Sequence, residues 1–110
     1  MNRFCKILFN GWATLYIAKL KEGETVQFRP KGNSMTGRIN SGDLCTVEPV
    51  KDFSKLEKGD IVLCKVNGNQ YLHLISAISG DRFQISNNHN FVNGWINKNS
   101  IYGKLIKVEK

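Results

Sequence analysis

Cysteine is scarce in this chain, and the three present, Cys5, Cys45 and Cys64, form no Cys-x-x-Cys pair. An odd count without paired spacing argues against both a disulfide framework and a zinc site; a reduced, cytoplasmic setting is the simpler expectation. Histidine is scarcer still: only His73 and His89 could supply imidazole chemistry. No apolar run has the length of a membrane span. The longest, Ile7 to Ala18, is broken by Asn10 and Gly11 and closed by Lys6 and Lys19, whereas a helix crossing about 30 Å of hydrocarbon needs about 20 apolar residues. No small-residue cleavage site follows it, which argues against a secretory signal. Phosphate-cradling glycine loops, dinucleotide fingerprints, internal repeats and low-complexity segments are also missing, so no cofactor is expected.

The 110 residues are 41% apolar and 23% charged, enough for a single domain to bury a core without metal or disulfides. Sixteen basic against nine acidic residues give a net charge of +7. An anionic partner therefore has to be considered. The Lys and Arg residues are dispersed and not interleaved with aromatics, so nucleic acid is possible but not favoured. Residues 1–22 are expected to form a short helix packed on the domain, with Phe4, Leu8, Trp12 and Leu15 or Tyr16 on one face and Gly23 as its left-handed stop. That face would also suit a peripheral membrane or protein contact.

From residue 23 to 110 the chain reads as β. Thr25–Arg29, Leu44–Val47, Ile61–Val66, Gln70–Ala77, Arg82–Ser86 and Tyr102–Val108 are short, apolar or β-branched, and separated by turn signals such as Asn67-Gly68-Asn69 and Ser79-Gly80-Asp81. The expected fold is mainly β: a small antiparallel barrel or sandwich with a short N-terminal helix. Asp43 and Asp60, each following a glycine, read as turn residues whose carboxylates cap backbone amides.

The most specific pattern is Gly32-Asn33-Ser34-Met35. Arg29-Pro30 enforces an extended approach and Gly32 permits an unusual angle just before the serine, presenting Ser34 on a turn. Seven residues later comes Ser41-Gly42-Asp43, then Leu56-Glu57-Lys58-Gly59-Asp60-Ile61-Val62, then Tyr71-Leu72-His73-Leu74-Ile75, and finally Ile101-Tyr102-Gly103-Lys104-Leu105. In this order and spacing, over Phe28 to Val108, the chain resembles the serine peptidase superfamily of signal peptidases and self-cleaving SOS repressors.

A serine hydroxyl needs a base to take its proton. The resemblance puts that base at His73, as in the Ser-His signal peptidases of the endoplasmic reticulum and their archaeal relatives, where bacterial signal peptidases and SOS repressors carry lysine. Lys65, across the Asn67-Gly68-Asn69 turn, is the alternative base. Imidazole is chemically the easier choice, because it is largely neutral at pH 7 while lysine must first be desolvated. The chain departs from the signal peptidases in its third member: no carboxylate lies between Asp81 and Glu109, so Asn88 or Asn93 is left to orient the ring. The resemblance also implies an oxyanion hole at the Ser34 backbone N–H with its neighbour Asn33, and Met35 as a pocket residue. Gly32 stands where bacterial signal peptidases place an assisting serine, so backbone donors would have to suffice.

The function these residues imply is a serine endopeptidase-like protein cleaving a peptide bond with a Ser34–His73 dyad. The alternative is a catalytically silent β module that binds a protein or nucleic-acid partner. Without a membrane span or a DNA-binding segment, a compact stand-alone member of phage or mobile-element type is expected.

Overall fold

The computed structural model describes residues 11–110; Phe4, Cys5 and Leu8 lie outside the described residues. Among the described residues one α-helix, α1 (Thr14–Lys21), precedes seven strands: β1 (Val26–Phe28), β2 (Leu44–Pro49), β3 (Ile61–Val66), β4 (Asn69–Ser79), β5 (Arg82–Ser86), β6 (Val92–Asn97) and β7 (Ile101–Glu109). All seven join in one antiparallel sheet of order β1-β2-β7-β3-β4-β5-β6. The fold is therefore mainly β, as the run of short strands implied.

Strand β3 lies inside the sheet, and alternation sends its side chains into two cores. Ile61 and Leu63 join a cluster with Ala13, Ile17, Leu20, Phe28, Met35 and Leu72. Val62, Cys64 and Val66 join a second one with Ile75, Phe83, Ile85 and Ile96. Both faces are covered, which is why Ile61-Val62-Leu63-Cys64 reads as an unbroken apolar run. Burial pushes the Cys64 thiol up to about 12, and burial with the Asp43 charge pushes Cys45 up to about 11; both are inert packing residues.

The helix differs in part from the expected face. Among the described residues it begins at Thr14, and its core side is Ala13, Ile17 and Leu20. Of the residues expected on one face, Trp12 and Leu15 are 47% and 52% exposed, while Tyr16 packs against the core. The reason is tertiary. Ala13 at the N-cap offers no side-chain acceptor, and Gln70 on β4 replaces it: Gln70 Oε1 accepts from Ala13 N–H at 2.7 Å while its Nε2 donates to Thr14 Oγ1 at 3.0 Å. These two bonds tie the start of α1 to β4. Its end follows the sequence: Gly23 (φ +90°) closes a Schellman motif, with Gly23 N–H on Leu20 O and Glu24 N–H on Lys19 O.

Strand β6 was not foreseen. Val92-Asn93-Gly94-Trp95 looks like loop sequence, and only pairing with β5 makes it a strand. The two Gly-Asp segments are nearly identical turns. Asp43 Oδ2 accepts from Asn40 N–H, and Asp60 Oδ2 accepts from Glu57 N–H, both at 2.9 Å, and each Asp N–H returns a bond to the same partner's carbonyl.

Gly103 on β7 sits where β2 and α1 converge. A Cβ there would lie 2.6 Å from Val47 Cγ1, 2.9 Å from the Glu48 backbone oxygen and 3.0 Å from Leu20 Cδ1. A backbone oxygen cannot rotate aside, so Gly103→Ala is expected to destabilise the fold by about 1–3 kcal/mol. In a urea titration the midpoint should fall with an unchanged slope; an unchanged midpoint would refute the close approach.

Candidate active site

The Ser34 segment is shaped by the residues before it. Phe28 ends β1, Arg29-Pro30 continues extended, and Gly32 adopts φ +111°, a value that costs any residue with a Cβ. The chain then turns: Thr36 N–H bonds to Asn33 O, and Arg38 and Ile39 N–H to Met35 O. Met35 and Ile39 are buried beneath this turn while Ser34 stays exposed above it. Neither the Ser34 nor the Met35 backbone N–H has an acceptor among the described residues.

A second loop clamps the turn from outside. Asn88, between β5 and β6, donates its backbone N–H to Ser34 O at 2.9 Å and its Nδ2 to Thr36 O at 2.8 Å, while its Oδ1 accepts from Arg38 Nε at 3.0 Å. His89 Nε2 donates to Asn33 O at 2.9 Å. The loop is tied to itself by Asn87 Oδ1, which accepts from His89 and Phe91 N–H. Arg38, Asn87 and His89 had no assigned part in the sequence reading. The only available signal was the polar run Ser86 to Asn90.

His73 comes from β4, opposite Val62 of β3. Its ring stacks on Tyr71 with centroids 4.7 Å apart, the face-sharing that strand alternation predicts. Nε2 lies 3.1 Å from Ser34 Oγ, across 39 positions of sequence, and Nδ1 lies 2.7 Å from Asn93 Oδ1. Asn93 reaches the ring through a bulge. Ile85 pairs with Gly94 and Ser86 with Val92, so Asn93 is the extra residue of β6, re-aimed out of the regular alternation. Of the two asparagines, Asn93 thus meets the imidazole and Asn88 holds the Ser34 turn. Lys65 pairs with Gln70 at the far end of the β3–β4 ladder and does not line the groove that holds Ser34.

His73 is buried, at 6% exposure. Burial lowers its pKa below the usual imidazole value, and the Asn93 hydrogen bond partly opposes this. The imidazole is accordingly neutral at pH 7. An Asn93 oxygen facing Nδ1 requires the proton there, which leaves the Nε2 lone pair facing Ser34 Oγ–H.

The pair opens on a groove of about 490 Å³. Its floor is Phe28, Met35, Ile39 and Leu72, and its far wall is Trp12 and Tyr16 from the start of α1. Two backbone edges flank it. Among the described residues the segment after β1 has no strand on its outer side, and β4 is unpaired on one side before Leu74, where β5 begins to pair. Among the described residues no helix is long and apolar enough to cross a membrane.

A comparison with curated proteins finds no match. The family model described as Peptidase S24-like matches residues 12–106. That span runs from the Trp12 wall of the groove to β7 and takes in Ser34, His73 and Asn93. With the serine turn, the histidine strand and the antiparallel sheet in the same chain, the protein belongs to the Peptidase S24-like family.

Proposed function

We propose that this protein is a serine endopeptidase in which Ser34 Oγ is the nucleophile, His73 Nε2 the general base and Asn93 the residue that holds the imidazole tautomer. The observation that carries this reading is the chain of two hydrogen bonds, Ser34 Oγ to His73 Nε2 at 3.1 Å and His73 Nδ1 to Asn93 Oδ1 at 2.7 Å, on an exposed serine beside a groove. The first distance lies within the reach proton abstraction requires.

In the proposed reaction, His73 Nε2 takes the Ser34 proton as Oγ adds to the scissile carbonyl. The developing oxyanion is met by the free backbone N–H groups of the Ser34 turn, with Asn33 beside it. The imidazolium then gives its proton to the leaving amine as the C–N bond breaks. Water, deprotonated by the same nitrogen, releases the acyl group and restores Ser34. An extended peptide would lie between the segment after β1 and β4 and add as a strand where their backbone groups are open; Gln70 O and Pro30 O are already taken, by Trp12 Nε1 and Gly42 N–H.

The test is covalent labelling. A fluorophosphonate probe incubated with the protein is expected to modify Ser34 alone, with labelling lost in Ser34→Ala and His73→Ala and retained in Lys65→Ala. Labelling lost in Lys65→Ala but kept in His73→Ala would transfer the base to Lys65. A folded wild type that stays unlabelled and cleaves no peptide would favour the silent binding module.

A further inference from the structure

We infer that the groove beside Ser34 selects peptides carrying a bulky apolar side chain, aromatic by preference, with an acidic residue close to it in sequence. This rests on the peptidase reading only in taking the groove as the peptide channel. Its basis is the composition of the groove. Phe28 stacks on Tyr16 with centroids 4.5 Å apart and meets Trp12 edge-on at 5.5 Å, forming an aromatic corner continuous with Met35, Ile39 and Leu72. Trp12 remains 47% exposed there, although its indole N–H is already bonded to Gln70 O, so what it offers the groove is apolar ring surface.

Size decides between small and large occupants. A cavity of about 490 Å³ is in the range that accommodates whole small ligands. An alanine methyl would leave most of the aromatic surface wetted, whereas a Phe or Leu side chain removes it from water at ~25 cal/mol per Å². Charge decides the second feature. Among the described residues the charged ones lining the groove are Arg29 and Lys31, both exposed, with no Asp or Glu beside them. Arg29 is held in place by its Nη1 bond to Gly42 O at 2.8 Å. A peptide carboxylate at this rim meets two cations, while a basic residue meets like charge.

The inference is tested by binding and cleavage measured separately. Fluorescein-labelled decapeptides containing Phe-Glu, Ala-Glu or Phe-Lys at one central position, otherwise identical, are titrated against the full-length Ser34→Ala protein, which binds without turnover. The Phe-Glu peptide should bind at least 10-fold more tightly than Ala-Glu and about 5-fold more tightly than Phe-Lys. The charge preference should shrink in 0.5 M salt, as screened surface charges require. Lys31→Glu, an exposed substitution that leaves Arg29 beside a carboxylate, should abolish the Glu-over-Lys preference, and Trp12→Ala should reduce the Phe-over-Ala ratio. Equal binding of the three peptides by the Ser34→Ala protein, or an undiminished Glu-over-Lys preference in Lys31→Glu, would overturn the inference. Wild-type cleavage of a mixed peptide library without a bulky apolar preference would overturn it while leaving the peptidase reading intact. Selective binding with no cleavage by the wild type would do the reverse.

Discussion

Ser34→Ala and His73→Ala are each expected to reduce peptide cleavage by about 10⁴-fold to 10⁶-fold, and the double variant to be scarcely worse than either single one. In the proposed mechanism the serine and imidazole share one proton transfer, so once either is gone the other has nothing to act on, and such members of a unit are strongly non-additive. Whatever rate remains would come from binding and from the backbone donors around the Ser34 turn. Ser34→Ala should cost little stability, because Ser34 is exposed and its backbone oxygen keeps the Asn88 bond, whereas His73→Ala removes a buried ring and its bond to Asn93. Single-turnover assays with the variants at matched folded concentration are the measurement. Undiminished cleavage in Ser34→Ala would end the serine-peptidase reading, and losses that multiply in the double variant would separate the two residues into independent roles.

The second large effect is on pH dependence. The proposed base must be neutral, so activity is expected to be lost as pH falls through the pKa of His73. Burial has lowered that pKa, which places the acid limb of kcat/KM below the ordinary imidazole value of about 6.5. The hydrogen bond that His73 Nδ1–H donates to Asn93 Oδ1 acts in the opposite direction and raises the pKa. Asn93→Ala should therefore move the limb to still lower pH while lowering the plateau by about 10²-fold, since the ring loses the partner that fixes its tautomer and position. Asn93→Asp should move the limb the other way, because a carboxylate beside the imidazole favours the protonated ring. A limb that stays in place in both variants would show that Asn93 does not act through His73. Folding carries the same sign. Unfolded His73 gains a proton near pH 6.5 and the folded residue only at lower pH, so the stability linked to this group is complete above that value and falls away as pH drops through the folded pKa.

The sequence by itself determined the local pieces whose causes are local. Gly23 ends α1 because glycine adopts the left-handed angle there without strain, and the two Gly-Asp turns close on their own amides. The alternation of β3 and β4 puts Tyr71, His73 and Ile75 on one face, and Gly32-Asn33-Ser34-Met35 sufficed to single out the serine. Strand β6 was not legible, because Asn93 and Gly94 have turn chemistry and the segment becomes a strand only through pairing with β5. For the same reason the sequence left Asn88 and Asn93 equivalent: which of them meets His73 depends on one bulged residue, a property of register between strands. The tie between the start of α1 and β4 was not legible either, because it comes from Gln70, 57 residues from Ala13. His89 and Arg38 gained their places because the β5–β6 loop closes over the Ser34 turn. Backbone angles and alternation are set by neighbouring residues, so they can be read along the chain. Caps, bulges and clamps are contacts between segments distant in sequence, and only the packed sheet brings those segments together.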